Sequence, residues 1–594
     1  MHKRQWGVRL VNDTVARARL WAPDMERIRL QINGRTLEME KDPEGWFEIE
    51  VDQIAAGDSY SFILPDGSSV PDPASQRQVD TVDGPSQLVD HKTFHWKNDH
   101  WRGRPWHEAI FYELHVGTFT QEGTFAAAAE KLEQFADASF TAIELMPIAA
   151  FDGTRGWGYD GILNYAPLPA YGSPDDLKSL IDRAHGIGIM VFLDVVYNHL
   201  GLFGNTIERY APQFFQADGT PWGPAPDFSR EETRSYFIDN ALTWLSEYRF
   251  DGLRFDASDR LVADGKDWLV DEIADLARDR ISDRTIHLVI EDARNVPDPM
   301  EHRPGRPPTC RAAWNDDLHH AIHVLTTGEE SGHYRDFASN AAAGIRTALA
   351  EGFIYQGQSR SSQDGEPSGK PSGHLPPTCF VNFLQNHDQI GNRLKGDRLS
   401  TLIDADIFKA LTAMLYLSPQ IPLTFMGEEF GSQAPFLFFS DHAAEDRQQA
   451  LKGRLGEARN FGATRADDLS SVPDPNALES FRASKLDWEH AESKEGLWWR
   501  DFTRELLEIR RRRIWPLIAD PLPFSGRILA AEDGVIAVDW QLGRHRLALR
   551  CNLAKTDALV PDITGETFFS RRVGPRATAW PPGGIAFASI VEKA

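Results

Sequence analysis

Leu253-Arg254-Phe255-Asp256, His287-Leu288-Val289-Ile290-Glu291 and Phe383-Leu384-Gln385-Asn386-His387-Asp388 are short apolar runs that each end in a carboxylate. Each run reads as a buried strand. A carboxylate adds little packing at such a position. In a barrel of alternating strands and helices, the C-terminal strand ends are where chemistry is placed. Converging carboxylates suit cleavage of a glycosidic bond, which needs an ionised nucleophile on one side of the anomeric carbon and a proton donor beside the leaving oxygen. Arg254 lies two residues before Asp256, on the same strand face, where it can keep that carboxylate ionised. Glu291 must hold its proton near neutrality, which burial and neighbouring carboxylates favour. The competing reading is a structural ion pair across the strand ends.

The elements that must position these groups fall into three parts. Residues 1–95 alternate with period two and predict a small β-sandwich. From about residue 105 to 514 the pattern becomes strand, helix, strand, helix. Strands are predicted at 110–115, 142–147, 189–195, 252–256, 286–291, 311–315, 380–385 and 421–426. Helices are predicted at 125–138 and at 174–185, the second with Ser173 as N-cap and proline in its first turn. Eight such units make an α/β fold of the (β/α)8 barrel type. Two insertions are expected, at about 198–228 and 328–377, the latter ending in a polar loop from about 356. The last barrel helix is expected at 498–513, with Arg510-Arg511-Arg512-Arg513 as a solvated helix end. Residues 515–594 predict a second small β domain.

The chain carries 63 basic and 88 acidic side chains, a net charge of −25. That charge argues against nucleic acid or an anionic membrane surface as a partner. No apolar stretch is long enough to span a bilayer, and Met1-His2-Lys3-Arg4-Gln5-Trp6 does not open a secretory signal. Cys310, Cys379 and Cys551 are far apart and odd in number, which fits a reducing cytoplasm and buried thiols. No cluster has metal-ligand spacing, so neither a metal nor an organic cofactor is expected.

Four strings resemble the signatures of the α-amylase family of glycoside hydrolases. They are Asp194-Val195-Val196-Tyr197-Asn198-His199, Gly252-Leu253-Arg254-Phe255-Asp256-Ala257, Glu291-Asp292 and Asn386-His387-Asp388. Each is short, but all four occur in order, at the third, fourth, fifth and seventh predicted strands. The resemblance implies Asp256 as nucleophile, Glu291 as general acid/base and Asp388 as a third carboxylate gripping sugar hydroxyls. It implies that Tyr159, in Trp157-Gly158-Tyr159-Asp160, stacks on the sugar being cleaved, and that His199 and His387 bond to it. Trp157 is either an aromatic platform or a packing residue. Asn198 aligns with a calcium ligand of many amylases, but a purely structural asparagine fits as well.

Within that family, three longer strings resemble the maltooligosyltrehalose trehalohydrolases. These are Thr220-Pro221-Trp222-Gly223-Pro224-Ala225, Trp314-Asn315-Asp316-Asp317-Leu318-His319-His320 and Gln385-Asn386-His387-Asp388-Gln389-Ile390-Gly391-Asn392-Arg393. The implied reaction is hydrolysis of the α-1,4 bond beside a terminal trehalose, on a substrate supplied by a maltooligosyltrehalose synthase. The alternative is a branching or debranching enzyme on the same barrel. Asn315, Asp316 and Asp317 are the candidates for reading the trehalose end, although a helix N-cap explains one of them equally. The chain departs from the expected pattern at Ser258-Asp259 and at Ala293-Arg294-Asn295-Val296, both on the leaving-group side.

Overall fold

The computed structural model describes residues 6–262, 269–360, 366–443, 446–460, 471–520, 522–574 and 578–591. Its centre is a closed barrel of eight parallel strands in chain order. They are β1 (Phe111–Leu114), β2 (Ala142–Leu145), β3 (Met190–Val195), β4 (Gly252–Phe255), β5 (His287–Ile290), β6 (Ala312–Trp314), β7 (Phe380–Phe383) and β8 (Ile421–Phe425). All eight expected strands are present, each one or two residues shorter than its apolar run. In seven of the eight the ladder stops before the run does at the C-terminal end, where the chain leaves the sheet.

Alternation along the strands decides what fills the barrel. Phe111, Ala142, Phe192, Val289, Ala312, Val381 and Leu423 form one interior cluster. Two residues further along, on the same face, the sequence places Glu113 on β1, Glu144 on β2, Asp194 on β3, Arg254 on β4 and Trp314 on β6. The barrel is thus apolar below and charged at its C-terminal mouth.

The flanking helices follow their sequence signals. Pro174–Gly186 begins with a capping box between Ser173 and Asp176. The expected helix 125–138 is divided at Lys131 into Phe125–Glu130 and Leu132–Ala138, and the Lys131 amide bonds the Ala128 carbonyl. The first insertion winds through short 3₁₀ turns at Ile207–Arg209 and Pro212–Phe214. The second carries the helix Ala341–Glu351 and a hairpin of Gln358–Ser359 with Pro367–Ser368. Part of its polar loop, 361–365, lies outside the described residues.

Before the barrel, two antiparallel sheets are built from strands between Gly7 and Gln87. Trp6 pins them to the barrel, its indole N–H donating to the Glu232 carbonyl at 3.1 Å and to Ser235 at 3.2 Å on helix Glu231–Ser246. After the barrel, a five-stranded antiparallel sheet runs from Gly526 to Val591. It packs on the second insertion, where the Trp540 indole donates to the Leu349 carbonyl at 2.8 Å.

The last barrel helix, Lys494–Ile509, starts four residues earlier than expected and passes into a π-helical turn, Arg510–Ile514. The extra residue in that turn swings Arg510 inward. Arg510 is therefore fully buried rather than part of a solvated end. Its guanidinium donates to the carbonyls of Tyr416 at 2.8 Å, Ser418 at 2.7 Å and Gln420 at 2.5 Å. Removing it strands three buried acceptors. Arg510→Ala is expected to destabilise the fold by roughly 3 kcal/mol, read as a lower Tm, with kcat/KM of the folded fraction unchanged. An unchanged Tm would show that the carbonyls find other partners.

Candidate active site

Arg254 is the hub of the barrel mouth, with none of its surface exposed. Its Nη1 lies 2.7 Å from Asp194 and 2.9 Å from Asp256, and its Nη2 lies 2.7 Å from Glu291. The Trp314 ring covers the guanidinium at 4.2 Å. Register explains this convergence. Phe255 on β4 pairs with Ile290 on β5, so Asp256 and Glu291 leave neighbouring strands side by side. Adjacent strands are about 4.8 Å apart, which suits the carboxyl spacing of about 5–5.5 Å used in retaining cleavage better than the wider spacing of inversion.

Each carboxylate has a second partner. Asn198 donates to Asp256 Oδ2 at 2.6 Å, and the Ala257 N–H donates to Glu291 Oε2 at 3.0 Å. Ala257 stands at φ 41° and ψ 53°, a left-handed conformation unfavourable for alanine, and this turn aims its N–H at Glu291. Ser258 bonds the Glu291 carbonyl through both its N–H and its hydroxyl at 2.8 Å. The departure at Ser258 thus braces the acid from behind.

Asp388 arrives from the other side, on the five-residue helix His387–Gly391, whose N-cap is Asn386. Gln389 closes the capping box and also donates to Asp316 at 2.9 Å, tying this helix to helix Asp316–Thr327. The His387 ring bonds Glu113 through Nδ1, and its Nε2 lies 3.7 Å from Asp388. Tyr159 stacks on His387 with ring centres 5.1 Å apart and donates to Asp194 at 2.6 Å. His199 bonds the Tyr159 carbonyl at 2.8 Å and the Asn198 side chain. Asp256, Glu291, Asp388, Tyr159, His199, Arg254, His387 and Asp316 therefore belong to one connected cluster.

Three expected residues do not line it. Trp157 backs the site. It is 5% exposed, stacks on Phe436 at 5.3 Å, donates to the Leu437 carbonyl and fills the space a side chain at Gly391 would need. Asn315 is wholly buried, donating to Asn382 at 3.0 Å and the Gly352 carbonyl at 3.1 Å. Asp317 is 3% exposed and its carboxylate is consumed by Asn295, Arg360 and the amides of Ile354 and Tyr355. Both were expected to meet sugar. Helix periodicity turns Asp317 away from the neighbouring Asp316, and Asn315 ends the strand inside the wall. Asn198, Asp194 and Glu113 are the site residues given too little weight by sequence. Asn198 has its amide committed to Asp256 and His199. Asp194 and Glu113 carry the same signal as the named trio, an acid at the end of an apolar run.

Burial dominates the electrostatics. Opposed by Arg254 and reinforced by Asp194 and Asp388, it pushes Asp256 up to about 6. With Asp256 and Asp388 reinforcing and Arg254 opposing, it pushes Glu291 up to about 7. Asp316 is likewise raised to about 7 by burial and by Glu291 and Asp388. Glu144 accepts no hydrogen bond from a described residue, and burial, Asp194 and Glu113 raise it well above the carboxylate range, so it is held neutral. Burial works against a charged His387, but Glu113 and Asp388 outweigh it and raise the ring to about 9. Between about pH 6 and 7 the geometry thus presents an ionised Asp256 beside a protonated Glu291. Among the described residues, no group of three or more His, Cys, Asp or Glu is placed to hold a metal.

An eight-stranded parallel barrel whose mouth holds a guanidinium-bridged carboxylate pair is the arrangement of an α-amylase-type glycoside hydrolase. The family model "Alpha amylase, catalytic domain" matches residues 102–213, and a domain of unknown function (DUF3459) matches residues 523–587. The malto-oligosyltrehalose trehalohydrolase of Deinococcus radiodurans is 40% identical over 499 residues, covering 83% of this chain and 81% of that protein. That of Mycobacterium tuberculosis is 35% identical over 596 residues, covering 97% and 99%. A Salmonella typhimurium protein solved at 1.4 Å, described provisionally as an alpha amylase, superposes with a TM-score of 0.95 at 44% identity, over 99% of this chain and 100% of that one. The chain belongs to the malto-oligosyltrehalose trehalohydrolase family and is a glycosidase.

The pH profile of kcat/KM tests the electrostatics of the pair. Below about pH 6 Asp256 takes up a proton and stops being a nucleophile; above about pH 7 Glu291 loses the proton it must give. A narrow bell with limbs near those values is expected. A flat profile from pH 5 to 8 would refute the assignment.

Proposed function

We propose that this protein hydrolyses the α-1,4-glucosidic bond joining a maltooligosaccharide to a terminal trehalose, with retention of configuration, and releases trehalose. The observation that carries the reading is the shared guanidinium. Arg254 holds Asp256 and Glu291 at the ends of neighbouring strands, in a chain whose relatives bear the trehalohydrolase name. In this reading Asp256 attacks the anomeric carbon and Glu291 protonates the leaving oxygen of the trehalose unit. The covalent bond between Asp256 and the glucan is then broken by water, which Glu291, now ionised, deprotonates. Arg254 and Asn198 stabilise the Asp256 charge before attack and after release. Asp388 and the charged His387 bond hydroxyls of the sugar being cleaved, and Tyr159 offers its ring. Of Asn315, Asp316 and Asp317, we assign the reading of the trehalose side to Asp316, which is acted on by Glu291 and Asp388.

Substrate would come from a maltooligosyltrehalose synthase, as a metabolic neighbour. No described helix is long and apolar enough to cross a membrane, and all three cysteines are free and buried. We place the reaction in the cytoplasm.

Incubation with maltotriosyltrehalose and with amylose, followed by identification of the sugars, tests the reading. Trehalose and maltotriose are expected from the first, the maltotriose appearing as the α-anomer by NMR, with little release from amylose. Transfer without new reducing ends would indicate a branching enzyme instead. Asp256→Asn should lower kcat by about a thousandfold or more while leaving the Tm unchanged or higher. Near-normal turnover in that variant would sink the nucleophile assignment.

A further inference from the structure

At the opposite end of the barrel from Arg254 lies a pocket of about 330 Å³ between helix Leu269–Arg280 and the entrances of β5 and β6. Ile281, Ile286 and Leu288 contribute apolar surface, and Arg278, Arg284 and Arg311 line it, but no carboxylate does. Arg311, immediately before β6, is exposed to solvent and has no ion pair among the described residues. Beyond burial, the charge that acts on it most is a second cation, Arg278. This is a costly pairing, and it is not forced by a shortage of acids, which outnumber bases 88 to 63 in the chain.

The other two guanidiniums are held in place by neighbouring groups. Arg278 is fixed by Asp275 at 3.0 Å and by the carbonyls of Pro308 and Thr309. Asp275 is already shared with Arg306 at 2.7 Å. Arg284 donates to the carbonyls of Leu245 and Phe250, and its Nε meets no partner among the described residues. Arg278 and Arg284 are thus oriented by their neighbours around a cavity whose own lining holds no carboxylate, and a guanidinium fork matches the geometry of a phosphoryl group. The volume exceeds what one phosphate fills and falls in the range of small-molecule sites. Thr285 adds a hydroxyl at the rim, while that of Thr309 is buried and donates to Asp271.

We propose that this pocket binds the phosphate monoester of a monosaccharide-sized molecule. Its phosphoryl group sits between Arg278 and Arg311, and its body rests on Ile281, Ile286 and Leu288. The site lies across the barrel from the carboxylates, so it is separate from the glycosidase centre.

Isothermal titration of the full chain with glucose 6-phosphate, inorganic phosphate and glucose tests this. Glucose 6-phosphate is expected to bind one per chain with Kd below about 1 mM, inorganic phosphate at least about tenfold more weakly because it forgoes the apolar floor, and glucose undetectably. Arg311→Gln should weaken glucose 6-phosphate at least about tenfold, the loss of one charge-assisted contact, with kcat/KM on maltotriosyltrehalose unchanged. The unchanged kcat/KM certifies that the variant is folded. No binding of glucose 6-phosphate, or equal binding by the Arg311→Gln variant, overturns the proposal.

Discussion

The buried guanidinium of Arg254 is the constraint on which the rest of this structure depends. A charge taken so far from water is tolerable only when fully matched. Three carboxylates from three consecutive strands, Asp194, Asp256 and Glu291, do the matching, and the Trp314 face covers what remains. The requirement is mutual. Without Arg254 the acids would repel one another, and those able to would take up protons. Closure of the barrel in the observed register is the geometric condition for all four groups to meet.

Acids still exceed cations at the mouth, and the excess is handled by division of labour. Glu144 is neutral inside the barrel, His387 is held positive between Glu113 and Asp388, and Glu291 retains its proton up to about 7. Neighbours that differ only in surroundings thereby acquire different charges, which is what a nucleophile and an acid side by side require. The opposite end of the barrel shows the reverse imbalance, with arginines facing one another. The flanking sheets take no part in the mouth. They brace the barrel's outer helices through buried anchors that include Trp6 before it and Trp540 after it.

Where expectation and structure part, the cause is a side chain's direction. Trp157, Asn315 and Asp317 sit within a few residues of site groups, yet all three point into packing. Asp317 clamps the backbone at Ile354 and Tyr355 to the β5 loop through Asn295, so it shapes the wall without facing the cleft. Arg510 was expected in water with its three neighbours, but the π-helical turn puts it inside. A one-residue insertion in a helix leaves no mark in a run of four identical residues.

Short apolar runs ending in Asp256, Glu291 and Asp388, separated by helical segments, were enough to specify the barrel and its catalytic end. Parallel strands buried on both faces read as continuous apolar stretches, and only the mouth tolerates charge there. The tertiary structure alone decided that one guanidinium joins Asp256 to Glu291, that Asn198 serves Asp256, and that Asp316 rather than Asp317 faces the acids. These are contacts between residues tens to hundreds of positions apart, fixed by strand register and helix rotation. A shift of one residue in either would reverse which side chains meet.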